Sequence, residues 1–219
     1  QAKNALGHFI DPSEITIENF PFAAVKNLTL NLSEGKKIDV WASRISYVGE
    51  SGWEIYLNND SEEGLALYDS LLEVGVVPVG IETYANSRRL EKSFRLQGAD
   101  LETEYNACES AIERRLVKEA DFHGKAAHLA HREEEPCAML CTMTIDDLNV
   151  SGSIRYPVGN SPIIDPASGE VPIDRKGRRS YATGMSYCPS IKKFVVMGYL
   201  PKNLAVPGKS LLLEYFNEN

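Results

Sequence analysis

Between residues 23 and 57, apolar and polar side chains alternate in three runs, at 23 to 32, 36 to 47 and 53 to 57. Ser33-Glu34-Gly35 separates the first run from the second, and Gly49-Glu50-Ser51-Gly52 separates the second from the third. Alternation at period two, broken by short turns rich in glycine, predicts a three-strand antiparallel meander with one buried face. The second turn delivers Trp53 and Glu54 straight into the last strand and leaves Tyr47 just before it.

The periodicity changes on either side of the meander. "QAKNALGHFI" at the start has the look of a helix already under way, so the chain is expected to begin inside a domain. Asp11-Pro12-Ser13 reads as a turn with Ser13 capping a short helix that Phe20-Pro21-Phe22 ends. Asp60 or Ser61 can cap the next helix, which puts Leu65, Tyr68, Leu71 and Leu72 on one face before Gly75 stops it. Val76 to Val79 reads as a short strand, and "IETYANSRRLEKSF" as a helix carrying Arg88, Lys92 and Arg95. That basic stripe is read as a solvated helix face, with contact to an anionic ligand tail as the alternative.

The charge run Arg132-Glu133-Glu134-Glu135-Pro136 marks a change of texture. Beyond it come strand-like segments at 138–146, 154–158, 180–187, 194–200 and 210–216, with turns and no helix between them. The expected division is therefore a mixed α+β domain over 1–131 and a small all-β barrel or sandwich over 137–219.

Composition narrows the function. A net charge of −8 would repel a phosphate backbone, and no compensating basic patch stands out, so nucleic acid is not expected as a partner. No apolar run reaches the length needed to span a bilayer as a helix. The four cysteines lack disulfide-scaffold or zinc spacing and read as reduced, mostly buried thiols. The sequons at Asn27, Asn31 and Asn149 follow nothing resembling a signal peptide and read as chance matches. Of the four histidines only His128 and His131 have helical spacing, without accompanying carboxylates, and no metal is expected. Phosphate-loop, dinucleotide and serine-nucleophile motifs are missing from the sequence.

Glu54 is the residue that calls for explanation. A carboxylate in an apolar strand is costly to bury without donors. The two-donor edge of a guanidine-like heterocycle, such as a pterin, would satisfy it, and Tyr47 could face the same ring. An internal ion pair with Arg44 is the open alternative.

Four segments, "RISYVGESGWEIYL", "NSRRLEKSFRLQGADL", "YNACESAIERRLVKEADFHGKAA" and "CPSIKKFVVMGYLPKNLAVPGKSLLLEY", resemble in this order the signature blocks of the glycine-cleavage T-protein family. That family includes the tetrahydrofolate domains of dimethylglycine and sarcosine dehydrogenases. The resemblance implies the C-terminal part of an α+β folate-binding domain followed by a small Greek-key barrel-like domain. It also implies tetrahydrofolate as cofactor, with Tyr47, Glu54 and Lys192 as folate-contacting residues. Glu54 would hold the pterin, and Lys192 with Lys193 would lie near the anionic glutamyl tail, an exposed strand-edge lysine pair being the alternative. The partners implied are folate and an amine one-carbon donor, in the cytoplasm or mitochondrial matrix.

Several positions depart from the family pattern. Ala85 stands for a usual arginine, Ser93 for a usual glycine, Gln97 for an aromatic residue, and Ala107-Cys108-Glu109 for Pro-Leu-Glu. The family's catalytic aspartate would lie upstream, in an N-terminal segment these residues lack, so no catalytic residue is assigned. Two readings follow from the resemblance. One is the folate-binding part of an aminomethyltransferase-like enzyme; the other is a non-catalytic interaction protein similar to the regulatory subunit of pyruvate dehydrogenase phosphatase.

Overall fold

The computed structural model describes residues 1–58, 61–113, 116–146 and 159–214. The chain forms two compact units, Gln1–Tyr84 and Ala85–Asn219. The charge run at 132–136 falls inside the second of these.

In the first unit, helix α1 (Ala2–Leu6) precedes an antiparallel sheet of β1 (Val25–Asn31), β2 (Lys37–Ser43) and β3 (Glu54–Tyr56), in that order. The predicted meander is present. Leu28 pairs with Val40, Leu30 with Ile38, and Ala42 with Ile55, so the inward positions share one face. They bury against Phe9, Ile15 and Phe20, an arrangement that alternation and hydrophobic burial together explain. Residues 11–20 form successive turns instead of the expected helix, so Ser13 caps none; the Oδ1 of Asp11 accepts the Ser13 N–H at 2.9 Å in the first of these turns.

Helix α2 (Ser61–Glu73) is present, but its buried side is not the one expected. Leu67 and Ser70 are buried, and Ala66, Leu71 and Val74 pack against the core, whereas Leu65, Tyr68 and Leu72 are exposed. Two residues turn a helix by about 200°, so α2 has an apolar stripe on each of two opposite sides. The sheet takes one. Val76 to Val79 is not a strand: Pro78 cannot donate to a ladder, and Val77 and Val79 are exposed.

The expected second helix is a π-helical segment, Glu82–Arg88, running into a single α-turn, α3 (Arg89–Glu91). Arg95 lies beyond it, so Arg88, Lys92 and Arg95 do not form one helical stripe. Arg88 donates to Glu91 at 2.9 Å and to Ser190 at 2.8 Å, while Arg95 donates to the carbonyls of Ser93 and Ser110.

The second unit has helix α4 (Lys125–Glu133), a three-stranded antiparallel sheet and a strand pair. The sheet runs β4 (Ala138–Ile145), β7 (Lys193–Pro201), β6 (Ala182–Cys188), and the pair joins β5 (Ile163–Ile164) to β8 (Leu212–Leu213). The sheets are open, so the barrel-like closure expected of this region is not formed among the described residues. The strand expected at 154–158 lies outside them, as does the end of that expected at 210–216.

Two arginines, Arg89 buried and Arg178 half-buried, organise this unit. Arg89 pairs with Asp100, which also accepts the Leu96 N–H at 2.8 Å and the Thr183 hydroxyl. A Cβ at position 184 would lie 2.6 Å from Nη2 of Arg89, so Gly184 is what lets β6 pass over the guanidinium. Arg178 pairs with both Glu109 and Asp174, donates to the Glu104 carbonyl at 2.6 Å, and stacks 4.2 Å from the Tyr105 ring. Tyr105 in turn stacks on Tyr199. Charges so far from water persist only when paired and hydrogen-bonded, and these are.

Candidate functional site

Strand β3 sorts its side chains by parity. Trp53, Ile55 and Leu57 pack against the core of the first unit, which leaves Glu54 and Tyr56 on the opposite face. The Tyr56 hydroxyl donates to Oε2 of Glu54. Tyr84 supplies a second phenol beside the same carboxylate; burial pushes its pKa up, and the charge and hydrogen bond of Glu54 add to the rise. Tyr47, in the loop between β2 and β3, meets Tyr84 with ring centroids 5.8 Å apart and planes tilted by 48°. A half-buried carboxylate is thus set beside two tyrosines, Tyr56 and Tyr84, with Tyr47 packed on the second of them. Gly49, with φ of 70°, provides the left-handed step this loop needs before it re-enters the sheet.

Arg44 does not pair with Glu54 among the described residues. Its guanidinium donates to the carbonyls of Thr16 (3.1 Å) and Phe20 and lies 5.3 Å over the Trp53 ring, on the core side of the strand. Backbone carbonyls and an aromatic face satisfy it there. The internal ion pair that the sequence left open is therefore not formed.

Lys192 is in the second unit, exposed in the turn between β6 and β7 with φ of 54°. Its neighbour Lys193 pairs with Asp146 at 2.7 Å. Of the residues expected from sequence, Tyr47 and Glu54 belong to one unit and Lys192 to the other. Among the described residues no group of His, Cys, Asp or Glu side chains is placed to hold a metal ion, and no helix is long and apolar enough to cross a membrane. The four cysteines are free thiols, Cys108 and Cys188 buried, Cys137 and Cys141 half-buried.

Sequence reasoning missed Tyr56 and Tyr84, and also a groove of about 670 Å³ on the outer face of the sheet. Asn27, Thr29, Asp39, Trp41, Tyr56 and Asn58 line it. Trp41 pairs across the strands with Tyr56, and Asp39 accepts the Thr29 hydroxyl at 2.6 Å. The signal was available: the alternation that buries Ile38, Val40 and Ala42 places Asp39 and Trp41 outward.

Comparison with known proteins gives this geometry a context. The chain is 32% identical over 214 residues to the human mitochondrial dimethylglycine dehydrogenase and 29% identical to the rat protein. It is also 28% identical over 188 residues to an aminomethyltransferase of Koribacter versatilis. These matches take in 94%, 94% and 82% of this chain. The chain spans 22% of the length of the dehydrogenases and 45% of the aminomethyltransferase. The crystal structure of the glycine cleavage system aminomethyltransferase T from Bartonella henselae has the same fold at 24% identity, with a TM-score of 0.62 over 80% of this chain and 45% of that one. Residues 1–119 match the family described as GCVT N-terminal domain. With more than half of its length matched by that family, and Glu54 in the strand that follows the Tyr47–Gly52 loop, the chain belongs to the glycine-cleavage T-protein family.

Proposed function

We propose that this chain is the tetrahydrofolate-binding part of a one-carbon transferase that takes an aminomethyl or methyl group from an amine donor. The observation that carries the reading is the setting of Glu54: a half-buried carboxylate that accepts from the Tyr56 phenol with Tyr84 beside it and that, among the described residues, does not pair with Arg44. Such a group keeps acceptor capacity for an incoming pair of N–H donors. A pterin edge presents that pair. Tetrahydrofolate, when bound, would supply the nucleophilic N5 that accepts the one-carbon unit. Glu54 would fix the heterocycle in plane, and the Tyr47 and Tyr84 rings would shield it from water. Lys192, exposed and cationic, would meet the anionic tail. The catalytic aspartate and any flavin domain would come from polypeptide beyond these 219 residues, which the partial coverage of the relatives supports. The similarity to mitochondrial dehydrogenases and to bacterial aminomethyltransferases supports a matrix or cytoplasmic setting.

The test is titration of tetrahydrofolate against the chain and against Glu54→Gln. Replacing a charged acceptor with an amide that faces a donor should weaken binding about thirty- to a thousand-fold, equivalent to about 2–4 kcal/mol. The melting temperature should barely move. Lys192→Glu should weaken binding less, and more so at low salt. A Glu54→Gln protein that binds unchanged and melts lower would overturn the reading and favour an interaction role.

A further inference from the structure

Tyr56 lies two residues after Glu54 on the same strand, and side chains spaced that way share one face of a sheet. Its ring is half exposed, at 52%, so packing does not dictate the position of its hydroxyl. The hydroxyl nevertheless donates to Oε2 of Glu54. A glutamate on a strand otherwise samples several rotamers, and a ligand that binds it must bear the cost of selecting one. A phenol can make that selection in advance. Being neutral, it leaves the carboxylate charge intact, whereas an arginine in the same place would cancel the charge and occupy both oxygens. Tyr56 takes one acceptor site of a group that has about four, so the carboxylate keeps capacity for two further donors.

We propose that Tyr56 is the positioning residue for Glu54: its hydroxyl fixes the carboxylate in the orientation that receives a two-donor heterocycle edge, without neutralising it. The inference rests on the reading of Glu54 as the pterin acceptor. Among the described residues, Tyr84 also faces this carboxylate with its phenol. The pairing has a signature in the unliganded protein, because the Tyr56 phenol is pushed above its ordinary value of 10.0, chiefly by its hydrogen bond to Glu54.

The test is a double-mutant cycle on the full chain with Tyr56→Phe, Glu54→Gln and both together, using tetrahydrofolate as the probe. Tyr56→Phe should weaken binding about tenfold, the equivalent of one charge-assisted hydrogen bond, and should add little once Glu54 is glutamine. Spectroscopic titration of the tyrosines without ligand should show two phenols, Tyr56 and Tyr84, moving down toward their ordinary range in Glu54→Gln, and only one of them doing so when Tyr56 is also phenylalanine. Equal losses from Tyr56→Phe in both backgrounds, or tighter binding by that variant, would overturn the positioning role while leaving the functional reading in place. No effect of Glu54→Gln on affinity, or no binding by the unsubstituted chain, would overturn the functional reading and this inference with it. An unchanged tyrosine titration in Glu54→Gln would overturn the inference independently of any ligand.

Discussion

Ser93 holds a left-handed backbone conformation, with φ of 56°, at the position where the family pattern has glycine. A side chain there costs about 1–3 kcal/mol, partly offset by the hydrogen bond that its hydroxyl accepts from Thr142 at 2.9 Å. Ser93→Gly is therefore expected to leave the melting temperature equal or higher. Ser93→Val, which forces a β-branched residue into the same conformation, should lower stability by about 1–3 kcal/mol in denaturant titration. The reverse order would mean that the Thr142 contact, and not the backbone, dominates this turn. Single residues also mark how far the site could be read in advance. Glu54 was legible because it interrupts an apolar alternation directly after a turn. Tyr84 was not, because it stands thirty positions later in a segment whose pattern reads as an ordinary α-helix and folds as a π-helix. Arg89 was invisible for another reason: composition rules place arginine outside, and only the three-dimensional fold brings Asp100 to it.

Among the elements, the hairpin around Arg178 and the segment carrying Glu109 form a clasp within the second unit. Burial opposes ionisation of Glu109, but hydrogen bonds from Arg178 and the Asn106 N–H outweigh it and hold the carboxyl below its ordinary 4.5. Asp174 is lowered in the same way: burial opposes its charge, and Arg178 with nearby backbone N–H groups prevails. Carboxyls with lowered native pKa values add stability that is fully present above their unfolded pKa values and lost as pH falls through the folded ones. Stability should thus hold at neutral pH and decline below about pH 4. Arg178→Met leaves Glu109 buried without its cation and should cost about 3–5 kcal/mol at pH 7. The difference from the unsubstituted chain should shrink in acid, as followed by chemical denaturation across pH; a constant difference would count against the clasp. Element existence was the legible part of the fold, since β1, β2, β3, α2, β4, β6 and β7 all lie where periodicity placed them. Element orientation was less so. The residues Leu65, Tyr68 and Leu72 of α2 satisfy helical spacing as well as Leu67, Leu71 and Val74 do, and only the sheet decides between the two stripes.

For the whole chain, two divisions compete: the composition break at 132–136, and the compact units that meet at Tyr84 and Ala85. The family match ends at residue 119, nearer the first, and the division into 1–131 and 137–219 stands as a proposal. Residues 77–81 are exposed and mostly without regular structure, whereas Glu135 and Arg132 in the charge run reach Arg175 and Glu113 at 3.5 and 4.0 Å. Exposed backbone without regular structure is nicked most readily, so limited proteolysis should cut within 77–81 first. A first cut at 132–136, with a stable fragment on each side, would favour the proposed two-domain division. The sheet of the first unit also has an optical consequence. The chain has only two tryptophans, and the sheet separates them: Trp41 is 64% exposed on the outer face, while Trp53 lies against the core beneath Arg44. Emission from the native chain should then be the sum of a solvated fluorophore, open to acrylamide, and a shielded one. A ligand settling along the outer groove would quench the first and spare the second, so the two faces of one sheet report separately, without a label, on occupancy and on unfolding.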